Sequence, residues 1–119
     1  MNQKNTMLLV FQKLALQVRV LEFSNESKLQ IIEEGAFKNS TIESILIQKE
    51  AIIIGKNAFS GCDKLQRIDF SNESKLQTIE ENAFNETSIE SVTIQSEVSE
   101  LKEGWCCGAS RLTRVRVSL

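Results

Sequence analysis

The chain has 119 residues with 16 acidic and 14 basic side chains, so its net charge of -2 provides no general attraction to nucleic acid or to an anionic membrane. Histidine is absent, which excludes Ser-His-Asp and Cys-His catalytic pairs, and no apolar run approaches the ~20 residues of a membrane-spanning helix. We therefore expect a protein that is not an enzyme, uses no cofactor, binds no nucleic acid and does not insert directly into a membrane.

The N-terminal segment, residues 1–17, precedes the regular part of the sequence. Its apolar run at 7–11 is broken by Gln12 and Lys13, and no small-residue cleavage site clearly follows, so we expect no export signal here. The chain remains compatible with a piece of a longer, exported protein. Two interpretations of the segment stay open: a short amphipathic helical cap over 7–16, and a degenerate first turn built around Phe11.

Beyond this segment the sequence repeats. The eight residues 23–30 recur unchanged at 70–77, which is 47 residues later. Ala-Phe pairs at Ala36, Ala58 and Ala83 divide this period into turns of 22 and 25 residues. A fixed period of this size is typical of a solenoid, in which neighbouring turns bury one continuous core.

Each turn contains one short segment with the alternation of a strand. The template Leu-x-x-Leu-x-Leu occurs five times, and its third position advances by 24, 23, 24 and 23 residues. Its last two apolar positions alternate with polar ones, which predicts a strand, and the turn is too short for a long helix as well. We expect the second positions to be buried and stacked in one row: Leu21, Ile45, Ile68, Val92 and Val115.

A second apolar row follows the strands. Phe37, Phe59 and Phe84 each come directly after an alanine, and Cys106 stands at the equivalent place of the last turn, after Trp105. Because one turn cannot bury its apolar face alone, we expect these phenylalanines to fill the core once per turn.

The repeated residues resemble the BspA-like leucine-rich repeat family, the Treponema-type class. The string over 54–70, Ile-x-x-x-Ala-Phe-x-x-Cys-x-x-Leu-x-x-Ile-x-Phe, looks like that family's repeat, and four such turns stand in register. The resemblance implies a mainly β leucine-rich repeat solenoid over 18–119, with about five turns, one parallel sheet and an irregular or short-helical convex side. Bacterial members often carry proline after the strand, where this chain has Gln48 and Gln95, which favours a protist-like member.

The resemblance also implies a function. The family is common on the surfaces of oral and gut anaerobes and of mucosal protist parasites, where it is associated with adhesion to host matrix proteins and host cells. We therefore expect a non-enzymatic protein-binding module on the cell surface, or secreted as part of a longer parent protein, with a host matrix or cell-surface protein as partner. The alternative is a cytoplasmic interaction scaffold with an endogenous partner.

The outward face of the predicted strands is the default binding surface. The competing interpretation is a plain solvated sheet face. Two arginines on one strand do not make a nucleic-acid site, which needs several phosphate contacts and base-stacking groups. The residues that we expect to bind a protein partner are Glu22, Leu46, Arg67, Asp69, Thr93, Arg114 and Arg116.

The three cysteines are Cys62, Cys106 and Cys107. No Cys-x-x-Cys pair suggests zinc, so we expect no metal site. Cys62 and Cys107 lie two predicted turns apart, roughly 10 Å, which is too far for a disulfide. We expect free thiols.

Four asparagines stand in Asn-x-Ser/Thr sequons and are candidate glycosylation sites: Asn25, Asn39, Asn72 and Asn85. They fall in predicted turns beside the strands, where a sugar can be accommodated. They favour an exported parent protein.

The last predicted strand, residues 114–117, exposes an unpaired backbone edge, which is a template for pairing with another chain. Arg114 and Arg116 discourage contact with another basic end. We expect a monomer, or weak self-association through this C-terminal edge.

Overall fold

Nine short strands make up the described part of the fold. The computed structural model describes residues 19–22, 27–95 and 97–117, with 21 and 22 described by their backbone alone, and these ranges contain no helix. In chain order the strands are β1 Val20–Glu22, β2 Ile31–Ile32, β3 Ser44–Ile47, β4 Ile53–Ile54, β5 Arg67–Phe70, β6 Thr78–Ile79, β7 Ser91–Ile94, β8 Glu100–Leu101 and β9 Arg114–Val117.

Odd-numbered and even-numbered strands lie on opposite sides of a coil. The outward side of β1, β3, β5, β7 and β9 is called the strand face below, and the side formed by β2, β4, β6 and β8 is called the back. All pairing is parallel, in the register that the repeat predicts, with Leu21 beside Ile45, Ile45 beside Ile68, and Val92 beside Val115. The predicted solenoid is confirmed, with four turns of chain joining five strands of the strand face.

The expectation of one parallel sheet needs correction. The back carries its own continuous ladder, β2-β4-β6-β8, whereas the strand face is divided into β1-β3-β5 and β7-β9. The back strands exist because each coil runs extended for two residues beside the next, so that Ile52 N donates to Gln30 O at 2.7 Å and Gln77 N donates to Ile52 O at 2.8 Å. A two-residue strand is too short to leave an alternating pattern in the sequence.

The core consists of the two predicted rows. Ile45, Ile68 and Val92 are buried in the first row. In the second row Phe37, Phe59 and Phe84 are almost fully buried and their rings stack, with centroids 5.3 and 5.2 Å apart and interplanar angles of 10° and 1°. Both rows are confirmed for these residues.

The first row does not stay buried at its C-terminal end. Val115 is 47% exposed, and Val117 and Leu101 in the same coil are 62% and 43% exposed. The prediction that Val115 is buried is therefore wrong. The reason is that, within the described residues, β9 pairs only with β7 and β8 only with β6, so no further coil covers their apolar side chains.

Several predictions fall on parts of the chain outside the described ranges. These are the cap or degenerate turn over 1–17, the role of Phe11, and the burial of the Leu21 side chain. The division into 1–17 and 18–119 stays a prediction. In the described part of the chain, no helix has the length and apolar character needed to cross a bilayer.

Candidate functional site on the strand face

Among the described residues, three adjacent hollows lie along the strand face. The middle one, a cleft of about 490 Å³, lies between β5 and β7. It is flanked by a hollow of about 260 Å³ on the β3–β5 side and by one of about 170 Å³ on the β7–β9 side. Because strand side chains alternate, the outward residues of each strand line these hollows while their inward neighbours fill the core.

The cleft exists because β5 and β7 do not pair. Behind them the same two coils remain close: the Phe59 and Phe84 rings are 5.2 Å apart, and Ser88 N donates to Leu65 O at 3.0 Å. The coils are therefore held together in the core and open toward the strand face. Phe70, at an apolar template position, is only half-buried here, whereas the equivalent Ile47 and Ile94 are buried.

Arg67 and Asp69 form one rim of the cleft and bind each other. The Arg67 Nε atom lies 2.8 Å from Asp69 Oδ2, with 73% and 50% of the two side chains exposed. An ion pair this exposed contributes little to stability. It nevertheless makes this part of the face locally neutral.

The opposite rim of the cleft leads into the β7–β9 hollow. Ser91 and Thr93 of β7 stand in register with Arg114 and Arg116 of β9, and all four side chains are exposed. Within the described residues neither arginine has an ion-pair partner in its own chain. The positive charge of this end of the strand face is thus open to a ligand.

The structure brings most of the predicted binding residues together. Leu46, Arg67 and Asp69 line the β3–β5 hollow, and Thr93, Arg114 and Arg116 line the β7–β9 hollow. The cleft joins the two groups. For Glu22 only the backbone position is described, beside Leu46. Whether these residues bind a partner stays a prediction.

The cleft is also lined by residues that were not among the predicted binding residues, including Ser91, Gln95, Gln66, Glu90 and Phe70. Gln66 and Glu90 directly precede β5 and β7 and are exposed, and Phe70 contributes its half-buried ring. The repeat does place Gln66 and Glu90 at equivalent positions of two turns, which is a signal that could have found them. Nothing in the sequence indicates the break in the sheet, and hence the exposure of Phe70.

The predicted glycosylation sites differ in their surroundings. Asn72 is exposed in a turn after β5, whereas the half-buried Asn85 accepts a hydrogen bond from the Ser60 hydroxyl of the preceding coil. The Asn39 side chain packs over the Cα of Gly61. Asn25 lies outside the described residues. All four sites remain predictions, and Asn72 has the most open surroundings of the three that are described.

Two of the three cysteine thiols are poor candidates for chemistry. Cys62 is fully buried and donates to Phe37 O at 3.0 Å, and burial raises its pKa although the nearby Ser40 hydroxyl acts in the opposite direction. Burial and then the neighbouring Cys107 raise the pKa of Cys106. Since the thiolate is the reactive form, both shifts lower reactivity. In the described ranges, no three acidic or cysteine side chains cluster to hold a metal ion.

Comparison with known proteins agrees with this architecture. Residues 14–118 match the sequence profile described as a BspA type leucine rich repeat region, in six copies. No curated protein matches the chain at a significant level.

Three solved structures share the fold. The pneumococcal vaccine antigen PcpA matches with a TM-score of 0.78 and 27% identity, over 87% of this chain and 29% of that one. A leucine-rich repeat protein from Bacteroides capillosus has a TM-score of 0.74 and 21% identity, with 87% of this chain and 79% of that chain covered. The T. pallidum leucine-rich repeat protein TpLRR has a TM-score of 0.61 and 18% identity, with 82% of this chain and 57% of that chain covered. The chain thus spans under a third of PcpA and just over half of TpLRR.

Proposed function

The chain belongs to the BspA-type leucine-rich repeat family, and we propose that it is a non-enzymatic protein-binding module that recognises a host matrix or cell-surface protein through its strand face. The observation that carries the proposal is the row of three connected hollows on that face. Their rims combine the Arg67–Asp69 pair, two free arginines and several hydroxyl and amide groups. An extended surface with polar rims and partly buried apolar floors suits a protein partner better than a small molecule.

The proposed location is the cell surface, or secretion as part of a longer parent protein. Support comes from the family and from the similarity to PcpA, which is a vaccine antigen. The exposed sequon at Asn72 is compatible with passage through a glycosylating compartment.

A second candidate is a cytoplasmic interaction scaffold that uses the same face for an endogenous partner. The observation that favours it is the state of the cysteines, since Cys62, Cys106 and Cys107 are all free and Cys107 is exposed. Exposed free thiols are usual in reducing compartments and uncommon in secreted proteins. A signal peptide or membrane anchor in the parent gene would decide against this candidate.

The binding proposal is tested by reversing the charges that the strand face presents. In the double variant Arg67→Glu with Asp69→Arg the ion pair can re-form with opposite polarity, so we expect thermal stability to stay within about 0.5 kcal/mol of the original protein. The matched control is Lys56→Glu with Glu81→Lys, which reverses an exposed pair on the back whose Nζ–Oε2 distance is 3.8 Å.

Binding is measured on a panel of immobilised extracellular-matrix proteins and on intact epithelial cells. We expect the original protein and the back variant to bind at least one of them, and the strand-face variant to lose that binding. Equal binding by both variants would move the site away from the Arg67–Asp69 part of the strand face. No binding to any matrix protein or cell, together with capture of a cytosolic partner that the strand-face variant loses, would favour the scaffold.

A further inference from the structure

The positive charge of the strand face is concentrated at one end. Arg19 lies 3.6 Å from a Glu43 carboxylate oxygen, and Arg67 is bound to Asp69. In the described part of this face, Arg114 and Arg116 are the arginines without such a partner. Their guanidinium groups therefore keep their hydrogen-bonding capacity for a ligand.

The two free arginines are arranged as a pair. They stand two residues apart on β9, so their side chains leave the same side of the strand about 6.6 Å apart at the backbone. Ser91 and Thr93 stand beside them in register on β7, about 4.8 Å away. The four side chains line one hollow of about 170 Å³, over Val92.

The hydroxyl groups add donors to the same hollow. Ser91 and Thr93 are exposed, and neither side chain makes a hydrogen bond within the described part of the chain, unlike Ser88, whose hydroxyl donates to Asp63 O at 2.5 Å. The hollow thus offers two planar guanidinium groups and two hydroxyl donors. None of its lining residues carries a negative charge.

We propose that Arg114 and Arg116, with Ser91 and Thr93, bind two carboxylates of an extended acidic segment in the protein partner. This inference rests on the proposed function, since it specifies the partner chemistry of the same face. An arginine binds a carboxylate through two parallel hydrogen bonds, which makes the contact directional. The two hydroxyls can donate to the same carboxylate oxygens.

The spacing of the arginines defines the sequence that fits. In an extended peptide, residues i and i+2 project to the same side and are again about 6.6 Å apart, whereas residues i and i+1 project to opposite sides. A segment with acidic residues at alternate positions, lying along β9, therefore presents one carboxylate to each arginine. A segment with two adjacent acidic residues presents only one carboxylate to the arginine pair.

The test compares two fluorescent octapeptides of identical composition, one with aspartates at positions i and i+2 and one with aspartates at i and i+1. Fluorescence anisotropy at low ionic strength and at 0.15 M salt gives their affinities. We expect the alternating peptide to bind about tenfold more tightly, since it gains one more charge-assisted contact. This preference should persist in salt, although both affinities fall.

Variants identify the residues responsible. Arg114→Gln with Arg116→Gln should abolish the preference, and replacing both by lysine should weaken it, because lysine keeps the charge without the planar fork. The control Lys38→Gln with Arg111→Gln removes the same charge from exposed positions in turns and should keep the preference. Thermal unfolding of each variant verifies that it is folded.

Three results would overturn the proposal. Equal affinity for the two peptides would indicate general charge attraction, and tighter binding of a sulfated heparin fragment in the same hollow would assign it to a polyanionic glycan. The outcome is separable from the proposed function: loss of partner binding in the Arg67/Asp69 variant but not in the Arg114/Arg116 variant would refute this site alone. Retained partner binding in both the Arg67/Asp69 variant and the Arg114/Arg116 variant would refute the strand-face proposal itself.

Discussion

At the residue scale, the phenylalanine row fills the core once per coil. Phe59 has a ring stacked on each side, that of Phe37 at 5.3 Å and that of Phe84 at 5.2 Å. Each ring fills the space between two coils, so its neighbours cannot collapse into a cavity without moving a whole coil. The row was predictable because a phenylalanine after an alanine recurs at a nearly fixed spacing.

Replacing the middle ring should therefore be costly. We expect Phe59→Ala to lower the free energy of unfolding by about 3–5 kcal/mol, because the substitution removes buried contacts and leaves a cavity. Val117→Ala, at a side chain that is 62% exposed, serves as the control and should cost less than about 0.5 kcal/mol. Urea unfolding followed by circular dichroism measures both free energies of unfolding. Similar decreases for the two variants would show that the phenylalanine row contributes no more to stability than an exposed side chain.

At the element scale, the close approach of neighbouring coils depends on particular backbone positions. Gly55 follows β4 and donates its N–H to Ile32 O at 2.7 Å. A Cβ atom at this position would lie 2.5 Å from that same oxygen and 2.9 Å from the backbone carbon of Glu33. Since all these atoms belong to backbone, no side-chain rotation can relieve the clash.

We expect Gly55→Ala to lower the free energy of unfolding by about 1–3 kcal/mol through this overpacking. The matched control is Gly35→Asn. Gly35 has a φ of +65° and open space where a Cβ would lie, and asparagine already occupies the equivalent turn position at Asn57 and Asn82, with φ values of +58° and +57°. The control should change stability by less than about 1 kcal/mol, and a loss equal to that of Gly55→Ala would contradict the steric explanation.

The strands also mark how far the sequence could predict this structure. The strand-face strands and their register followed from an apolar alternation that recurs every 23 or 24 residues. The back ladder could not be predicted from the sequence, because two-residue strands have no period to detect. The break between β5 and β7 could not be predicted either, since Phe70 has the same template position as the buried Ile47. The candidate site was accordingly predicted as a face, and its division into three hollows came from the structure.

At the scale of the whole molecule, the C-terminal end of the solenoid is the most open part of the described core. Val115, Val117 and Leu101 are exposed beside the unpaired edges of β9 and β8. Apolar edges of this kind favour association, whereas Arg114 and Arg116 repel a second copy of the same edge. The two effects oppose each other at one surface.

We therefore expect a monomer that self-associates weakly through this end. Light scattering over a range of concentrations, with and without reductant, measures the effect. In air, the exposed Cys107 should slowly form a covalent dimer that reductant removes. A tight dimer that survives both dilution and reductant would show that the edge outweighs the arginine charges, and Val117→Lys, which adds charge to the edge, should then dissociate it.

The central claim is that the strand face, and not the back, binds the partner. Hydrogen exchange measured by mass spectrometry on the chain with and without a bound matrix protein tests it most directly, because partner contact slows exchange of the amides that it covers. We expect slower exchange over 67–70, 91–94 and 114–117, with no change at 53–54 and 78–79. Slowing confined to the back strands, with the strand face unchanged, would contradict the account.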